Sequence, residues 1–116
     1  MLTREEKNRV ALLQGTLDLL ILRTLLFGSQ HGQGIARAIQ EQSEDVLLVD
    51  HGALYPALQR LLKEGLLSSQ EGISAKGRPT RIYQLTPAGI HHLESEVLSF
   101  ERMFAGFTRV LAAAKA

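Results

Sequence analysis

The chain has 116 residues, an apolar fraction of 45%, 13 Lys and Arg against 12 Asp and Glu, and no cysteine. That leaves room for one compact domain with one extra element, argues against disorder, and excludes disulfides and thiolate metal sites. The net charge of +1 is spread unevenly: residues 1–50 carry five basic and seven acidic side chains, whereas 51–83 carry five basic (Arg60, Lys63, Lys76, Arg78, Arg81) and two acidic (Glu64, Glu71), so positive charge collects in the middle third.

Charged residues open the N-terminus, so no secretory signal is visible. The most apolar run, 17–27, is interrupted by Asp18, Arg23 and Thr24 and is too short to span a bilayer. A cytoplasmic protein with no membrane partner is the expectation. In chain order, Thr3-Arg4-Glu5-Glu6 has the form of a capping box and predicts a short helix over 7–13. Gln14-Gly15 interrupts it, and Thr16 can cap a second helix over 17–27, with Asp18 beside it satisfying backbone donors. That second helix is apolar nearly all round, so it is expected to be buried on two sides. The second side suits a partner subunit, through Leu19, Leu22 and Leu26.

A turn at 28–32 leads to an amphipathic helix over 33–43 with Ile35 and Ile39 inward, then a brief extended segment at 46–49. The stretch from Val49 to Leu67 reads as a helix capped by Asp50 and closed by Gly65. Leu54, Leu58, Leu61 and Leu62 make its apolar face. His51, Tyr55, Gln59 and Lys63 step by four along a polar one. Two strands, 66–71 and 81–85, flank a loop over 72–80 that is rich in Gly, Lys, Arg and Pro. Thr86-Pro87 starts a last helix reaching about residue 113. In it Ile90, Leu93, Val97, Phe100, Phe104, Phe107 and Leu111 alternate in steps of three and four, a seam for another helix, most simply its own copy in a homodimer.

Helix, helix, short strand, helix, strand, basic loop, strand and long helix is the order of a winged helix-turn-helix followed by a dimerisation helix. The fold is mainly α with a small β-hairpin, divided into an N-terminal helix or arm (1–13), a DNA-binding domain (14–86) and a dimerisation helix (87–116). The helix after Asp50 would enter a major groove. His51, Gly52, Tyr55 and Pro56 would stand at its leading half, with Gln59, Arg60 and Lys63 following, and Arg60 and Lys63 are better suited to phosphates than to bases. Pro56 removes one intrahelical bond and opens the helix start slightly. Lys76, Arg78, Thr80 and Arg81 would form a basic hairpin tip suited to phosphates or a minor groove. The bland alternative for each is a solvated helix face and a solvated tip.

The four histidines, His31, His51, His91 and His92, show no metal-ligand spacing, and no cofactor is expected. No nucleophile and base stand at recognisable spacing, so an enzyme is not expected. Phe100, Phe104 and Phe107 would be dimer core, or would line a flat pocket for a small hydrophobic or aromatic effector.

The motifs Gln14-Gly15-Thr16-Leu17-Asp18-Leu19-Leu20-Ile21-Leu22, His31-Gly32-Gln33-Gly34-Ile35, Gly52-Ala53-Leu54-Tyr55-Pro56-Ala57-Leu58, Leu62-Lys63-Glu64-Gly65-Leu66-Leu67 and Arg81-Ile82-Tyr83-Gln84-Leu85-Thr86-Pro87-Ala88-Gly89 occur in this order. Together they resemble the PadR family of bacterial transcriptional regulators, in its small subtype with one C-terminal helix. The resemblance implies a winged-helix homodimer, usually a repressor on an inverted-repeat operator, released in some members by small aromatic or drug-like molecules. It places Tyr55 and Pro56 on the recognition-helix motif, and Arg81 and Tyr83 on the return strand of the wing. Two positions depart from the family's common pattern: Gln33 stands where an aromatic is usual, and Ile82-Tyr83 where two aromatics are more frequent. A winged-helix module that docks an acidic protein, without specific DNA binding, is the alternative.

Overall fold

The computed structural model describes residues 10–11 and 14–113. The elements are β1 (Val10–Ala11), α1 (Gln14–Leu25), β2 (Gln30–His31), α2 (Gly32–Gln42), β3 (Leu47–Leu48), α3 (His51–Lys63), β4 (Leu67–Ile73), β5 (Pro79–Leu85) and α4 (Pro87–Ala113). This is the expected mainly helical chain with a small sheet and a long last helix. β2, β5 and β4 form a three-stranded antiparallel sheet in that order, and β1 pairs in parallel with β3.

α1 is the centre of the domain. Leu17, Ile21, Leu22 and Leu25 are buried on it, and Leu19 and Leu20 are partly buried against the same core. Ile35 and Ile39 of α2, Leu54, Ala57, Leu58 and Leu61 of α3, Tyr83 of β5 and Leu93 of α4 complete the cluster. Each fully buried leucine or isoleucine contributes about 1.5–3 kcal/mol by leaving water. α1 therefore does face apolar neighbours on more than one side, and those neighbours belong to its own chain.

Local chemistry sets the helix ends. His31 caps α2, its Nδ1 accepting from the Gly34 N–H at 2.8 Å. Asp50 caps α3, its carboxylate accepting from the Gly52 N–H at 3.1 Å. α3 closes on Gly65 at φ 76°. There the Leu66 N–H donates to the Leu61 carbonyl and the Gly65 N–H to the Leu62 carbonyl, both at 3.0 Å, the paired bonds by which a left-handed glycine satisfies the last carbonyls of a helix.

That helix end is joined directly to the start of α4. The Thr86 hydroxyl donates to the Gly65 carbonyl at 2.7 Å and accepts from the Gly89 N–H at 3.0 Å, and the Thr86 N–H donates to the Leu66 carbonyl at 3.2 Å. Gly89 is buried, and a Cβ there would collide with the Leu66 carbonyl oxygen.

Three local expectations differ from what forms. Of the helix predicted over 7–13, only Val10 and Ala11 lie among the described residues, and they are a strand, paired with Leu47 and Leu48. α1 begins at Gln14 rather than after Thr16, so Gly15 and Thr16 lie within its first turn. The hairpin is longer than predicted: Gly72 pairs with Thr80 and Ile73 with Pro79. Only 74–78 remain as the tip, closed by the Ser74 N–H donating to the Arg78 carbonyl at 2.8 Å and the Gly77 N–H to the Ser74 carbonyl at 2.9 Å. Gly77 has φ 78°, which favours glycine.

Two stability tests follow from this packing. Alanine is intrinsically better than glycine in a helix by about 1 kcal/mol, yet Gly89→Ala should lower stability by about 2 kcal/mol in denaturant unfolding, because the obstructing atom is backbone and cannot rotate away. Burial first, and the nearby Tyr55 phenol second, push the Tyr83 phenol above its ordinary ionisation range, with Arg81 opposing. A raised folded-state value gives stability that is complete below the unfolded tyrosine range and is lost as pH rises through the folded value. Unfolding free energy should therefore fall on the alkaline side of the ordinary tyrosine range, and Tyr83→Phe should flatten that fall.

Candidate nucleic-acid interface

On α3 the apolar face is spent on the core, which turns the other face outward. His51, Gly52, Tyr55, Pro56, Gln59 and Lys63 are all exposed. The His51 and Tyr55 rings meet edge to face, with centroids 6.1 Å apart and planes at 88°. Tyr55 leans toward α2: a Cβ at Gly32 would lie 3.0 Å from its Cε1 and 3.1 Å from its hydroxyl oxygen. Gly32 is thus the gap that lets the Tyr55 ring lie over the first turn of α2. Gly32 directly follows His31, which pairs with Ile82 on β5, so the Tyr55 end of the outward face of α3 lies beside the sheet that carries the wing.

Along the wing, Arg81 is exposed but restrained. Its Nη1 donates to Ser69 Oγ at 3.1 Å, and its Nη2 lies 4.0 Å from Glu71 Oε1. Thr80 is half-buried in the strand. Lys76 and Arg78 stand exposed at the tip, where the Arg78 N–H donates to Ser74 Oγ at 3.1 Å. Among the described residues, the ion pairs are Arg60–Asp18, Arg81–Glu71 and His92–Glu96. Lys63, Lys76 and Arg78 therefore keep their charge free for an external anion.

Arg60 stands apart from the other residues of this group. Its Nη2 is 2.6 Å from Asp18 Oδ1, and both side chains are largely covered. The guanidinium expected at a phosphate is thus bonded within its own chain. The Asp18 carboxylate, expected to serve the backbone of its own helix, is its partner. Sequence reasoning had no signal for this pair, whose members are 42 residues apart. Nor did it single out Gly32 or Ser69, which hold Tyr55 and Arg81 in place.

The expected dimer seam is divided. Leu22 and Leu93 are 1% and 3% exposed, already enclosed by their own chain and unable to face a partner. Leu19 and Val97 are partly buried against the core. Leu26, Ile90, Phe100, Phe104, Phe107 and Leu111 remain exposed, joined on α4 by Leu98, Met103 and Val110. Phe100 and Phe104 stack with centroids 6.3 Å apart and planes at 12°. Two shallow depressions flank the turn at Gly28 and Ser29. One is lined by Thr24, Gln30, Ala38 and Gln42, the other by Leu25, Leu26, Gln84, Leu85 and Ile90. Neither includes Phe100, Phe104 or Phe107. Among the described residues no three His, Cys, Asp or Glu are grouped to hold a metal, and no helix is long and apolar enough to cross a membrane.

Comparison with known proteins gives this arrangement a family. A Clostridium thermocellum transcriptional regulator superposes with a TM-score of 0.75 at 26% identity, over 83% of this chain and 93% of that one. A PadR family transcription regulator from Clostridium difficile superposes with a TM-score of 0.70 at 27% identity, over 82% and 97%. Transcriptional regulator Rv3488 of Mycobacterium tuberculosis is 39% identical over 64 residues, which span 55% of this chain and 59% of that protein. Residues 21–95, more than half of the chain, match the transcriptional regulator PadR-like family, and the protein belongs to that family of winged-helix DNA-binding regulators.

Proposed function

We propose that the protein is a sequence-specific repressor that binds an inverted-repeat operator as a homodimer, in the cytoplasm, where such DNA lies. The observation that carries this reading is the shared edge of α3 and the wing. The outward face of α3 carries His51, Gly52, Tyr55, Pro56, Gln59 and Lys63. Tyr55 lies against Gly32, next to the β2 strand that pairs with β5, and β5 leads back to Arg81 and to the free cations Arg78 and Lys76. A helix can enter a major groove while an adjacent basic hairpin holds the backbone. Tyr55 and Gln59 are the side chains suited to base edges, and Lys63, Lys76, Arg78 and Arg81 to phosphates. Thr80 supports the wing from within the strand. Residues 14–86 form the DNA-binding unit in this reading.

The partner is a second copy, paired through residues 87–116. α4 has 27 residues, about 40 Å of helix, and only its first part is covered by its own domain. Phe100, Phe104, Phe107 and Leu111 are large apolar side chains left facing water, and a stripe of that kind is an interaction surface. Its three- and four-residue spacing suits another helix, and Leu26 and Ile90 extend it toward the domain. Two copies would set two α3 helices one turn of DNA apart, about 34 Å. A small hydrophobic or aromatic effector would enter between the facing phenylalanines.

Two measurements test this reading. A Tyr55→Ala, Arg78→Ala, Arg81→Ala triple variant should lose binding to an operator selected from random duplexes while remaining dimeric. Retained binding in a gel-shift titration would overturn the assignment of this face. Phe104→Glu with Phe107→Glu should convert the dimer to a monomer in sedimentation experiments and lower operator affinity by at least tenfold, about 1.4 kcal/mol or more. A variant that stays dimeric would move the interface elsewhere.

A further inference from the structure

We infer that Asp18 is a positioning residue for DNA discrimination: it holds Arg60 away from the phosphates and so suppresses binding to DNA of arbitrary sequence. The inference rests on the DNA-binding reading above and assigns one further residue to it. Arg60 is the tenth residue of α3, beside Gln59 and three before Lys63. At about 100° per residue it sits roughly 40° around the helix from Pro56 and roughly 60° from Lys63. It therefore leaves α3 on the flank of the proposed reading face, on a stem long enough to swing toward a backbone alongside. Its head is instead drawn back onto α1, where Nη2 donates to Asp18 Oδ1 at 2.6 Å. The side chains keep 33% and 23% of their exposure, so water screens the pair only in part.

The consequence for recognition lies in the charge balance. A mobile arginine beside a duplex binds any phosphate, whatever the sequence, and adds to the salt-dependent term that dominates non-specific binding. Bound to Asp18, the same guanidinium contributes no net charge at the flank. The bridge also ties α3 to α1 without touching the exposed face that carries Tyr55 and Gln59. One carboxylate therefore removes a sequence-blind contact and braces the helix that makes the sequence-dependent ones. Glu64 and Lys63 are exposed with no bond to either member of the pair.

The test is a set of titrations on the full-length protein with a random-sequence duplex and a selected operator, across salt from about 50 to 200 mM. Asp18→Asn should bind the random duplex several-fold more tightly at low salt. Its log–log salt slope should steepen by about one, so that its affinity falls about 3-fold further than wild type across that range. The ratio of operator to random affinity should fall. Arg60→Gln alone should keep the wild-type slope, and Asp18→Asn combined with Arg60→Gln should return to it. Asp18→Glu, which keeps the charge, should restore the wild-type slope. If the bridge only braces the fold, Asp18→Asn loses affinity and melting temperature together with no change in slope, and the inference is overturned. It is overturned equally if Arg60→Gln alone lowers the slope by one, because Arg60 would then already be on a phosphate. A wild-type protein with no salt-dependent duplex binding would sink the DNA-binding reading and this inference with it, whereas wild-type binding with an unchanged Asp18→Asn slope sinks the inference alone.

Discussion

The junction in which Gly89 packs on the Leu66 carbonyl, while the Thr86 hydroxyl links the Gly89 N–H to the Gly65 carbonyl, is the constraint on which the geometry of the molecule depends. It joins the end of α3 to the start of α4, and it does so with backbone atoms on both sides. Backbone contacts of this kind leave no rotamer to adjust, so the two helices meet at one angle. Three residues are needed within it. Gly65 turns the chain at a positive φ, Thr86 donates to one element while capping the other, and Gly89 admits the approach. The helix proposed to read DNA and the helix proposed to pair two copies are therefore held as one unit. Any rotation between paired α4 helices would rotate the α3 helices with them, which is how the spacing of two reading heads could be set at a distance.

Charge is distributed with the same economy. A net charge of +1 is too small to make the whole surface attractive to DNA. Two of the cations are also committed within the chain, Arg60 to Asp18 and Arg23 over the Phe27 ring at 4.5 Å, while the exposed Arg81 is steadied by Ser69 and Glu71. On α3 and the wing, the cations without an ion pair are Lys63 and, at the wing tip, Lys76 and Arg78. Local concentration of charge, rather than its total, is what the proposed interface would use, and a modest number of phosphate contacts leaves more of the discrimination to base contacts.

Much of this was legible in the residues. The last helix could be read from Thr86-Pro87 to about residue 113 because its cap and its apolar spacing are both local signals, and α4 spans Pro87–Ala113. The caps at Asp50 and Gly65 were legible for the same reason. Long-range pairings were not. Val10 and Ala11 form a strand only because Leu47 and Leu48 lie beside them. The outer rungs of the hairpin, Gly72 with Thr80 and Ile73 with Pro79, extend through residues whose composition reads as loop. At the candidate site, the outward residues of α3 could be read from periodicity, whereas the role of Arg60 could not, since its partner comes from another helix. An arginine next to a helix face is the same letter whether it is free or bound.

The apolar seam shows where a periodic pattern is insufficient. Ile90, Leu93, Val97, Phe100, Phe104, Phe107 and Leu111 keep one spacing throughout, yet they do not share one environment. Leu93 is enclosed by α1 and its neighbours, and Val97 is packed at the edge of that core. From Phe100 onward the helix has passed beyond the domain. The regular spacing lets one face of a single helix serve two partners in succession, its own core first and then whatever covers the phenylalanines. Because a straight helix cannot turn its face between those two tasks, the position of the core fixes the direction in which the exposed half presents Phe104 and Phe107. The junction at Gly89 fixes that direction relative to α3. The orientation of the surface proposed for pairing is thus a consequence of how the single chain packs.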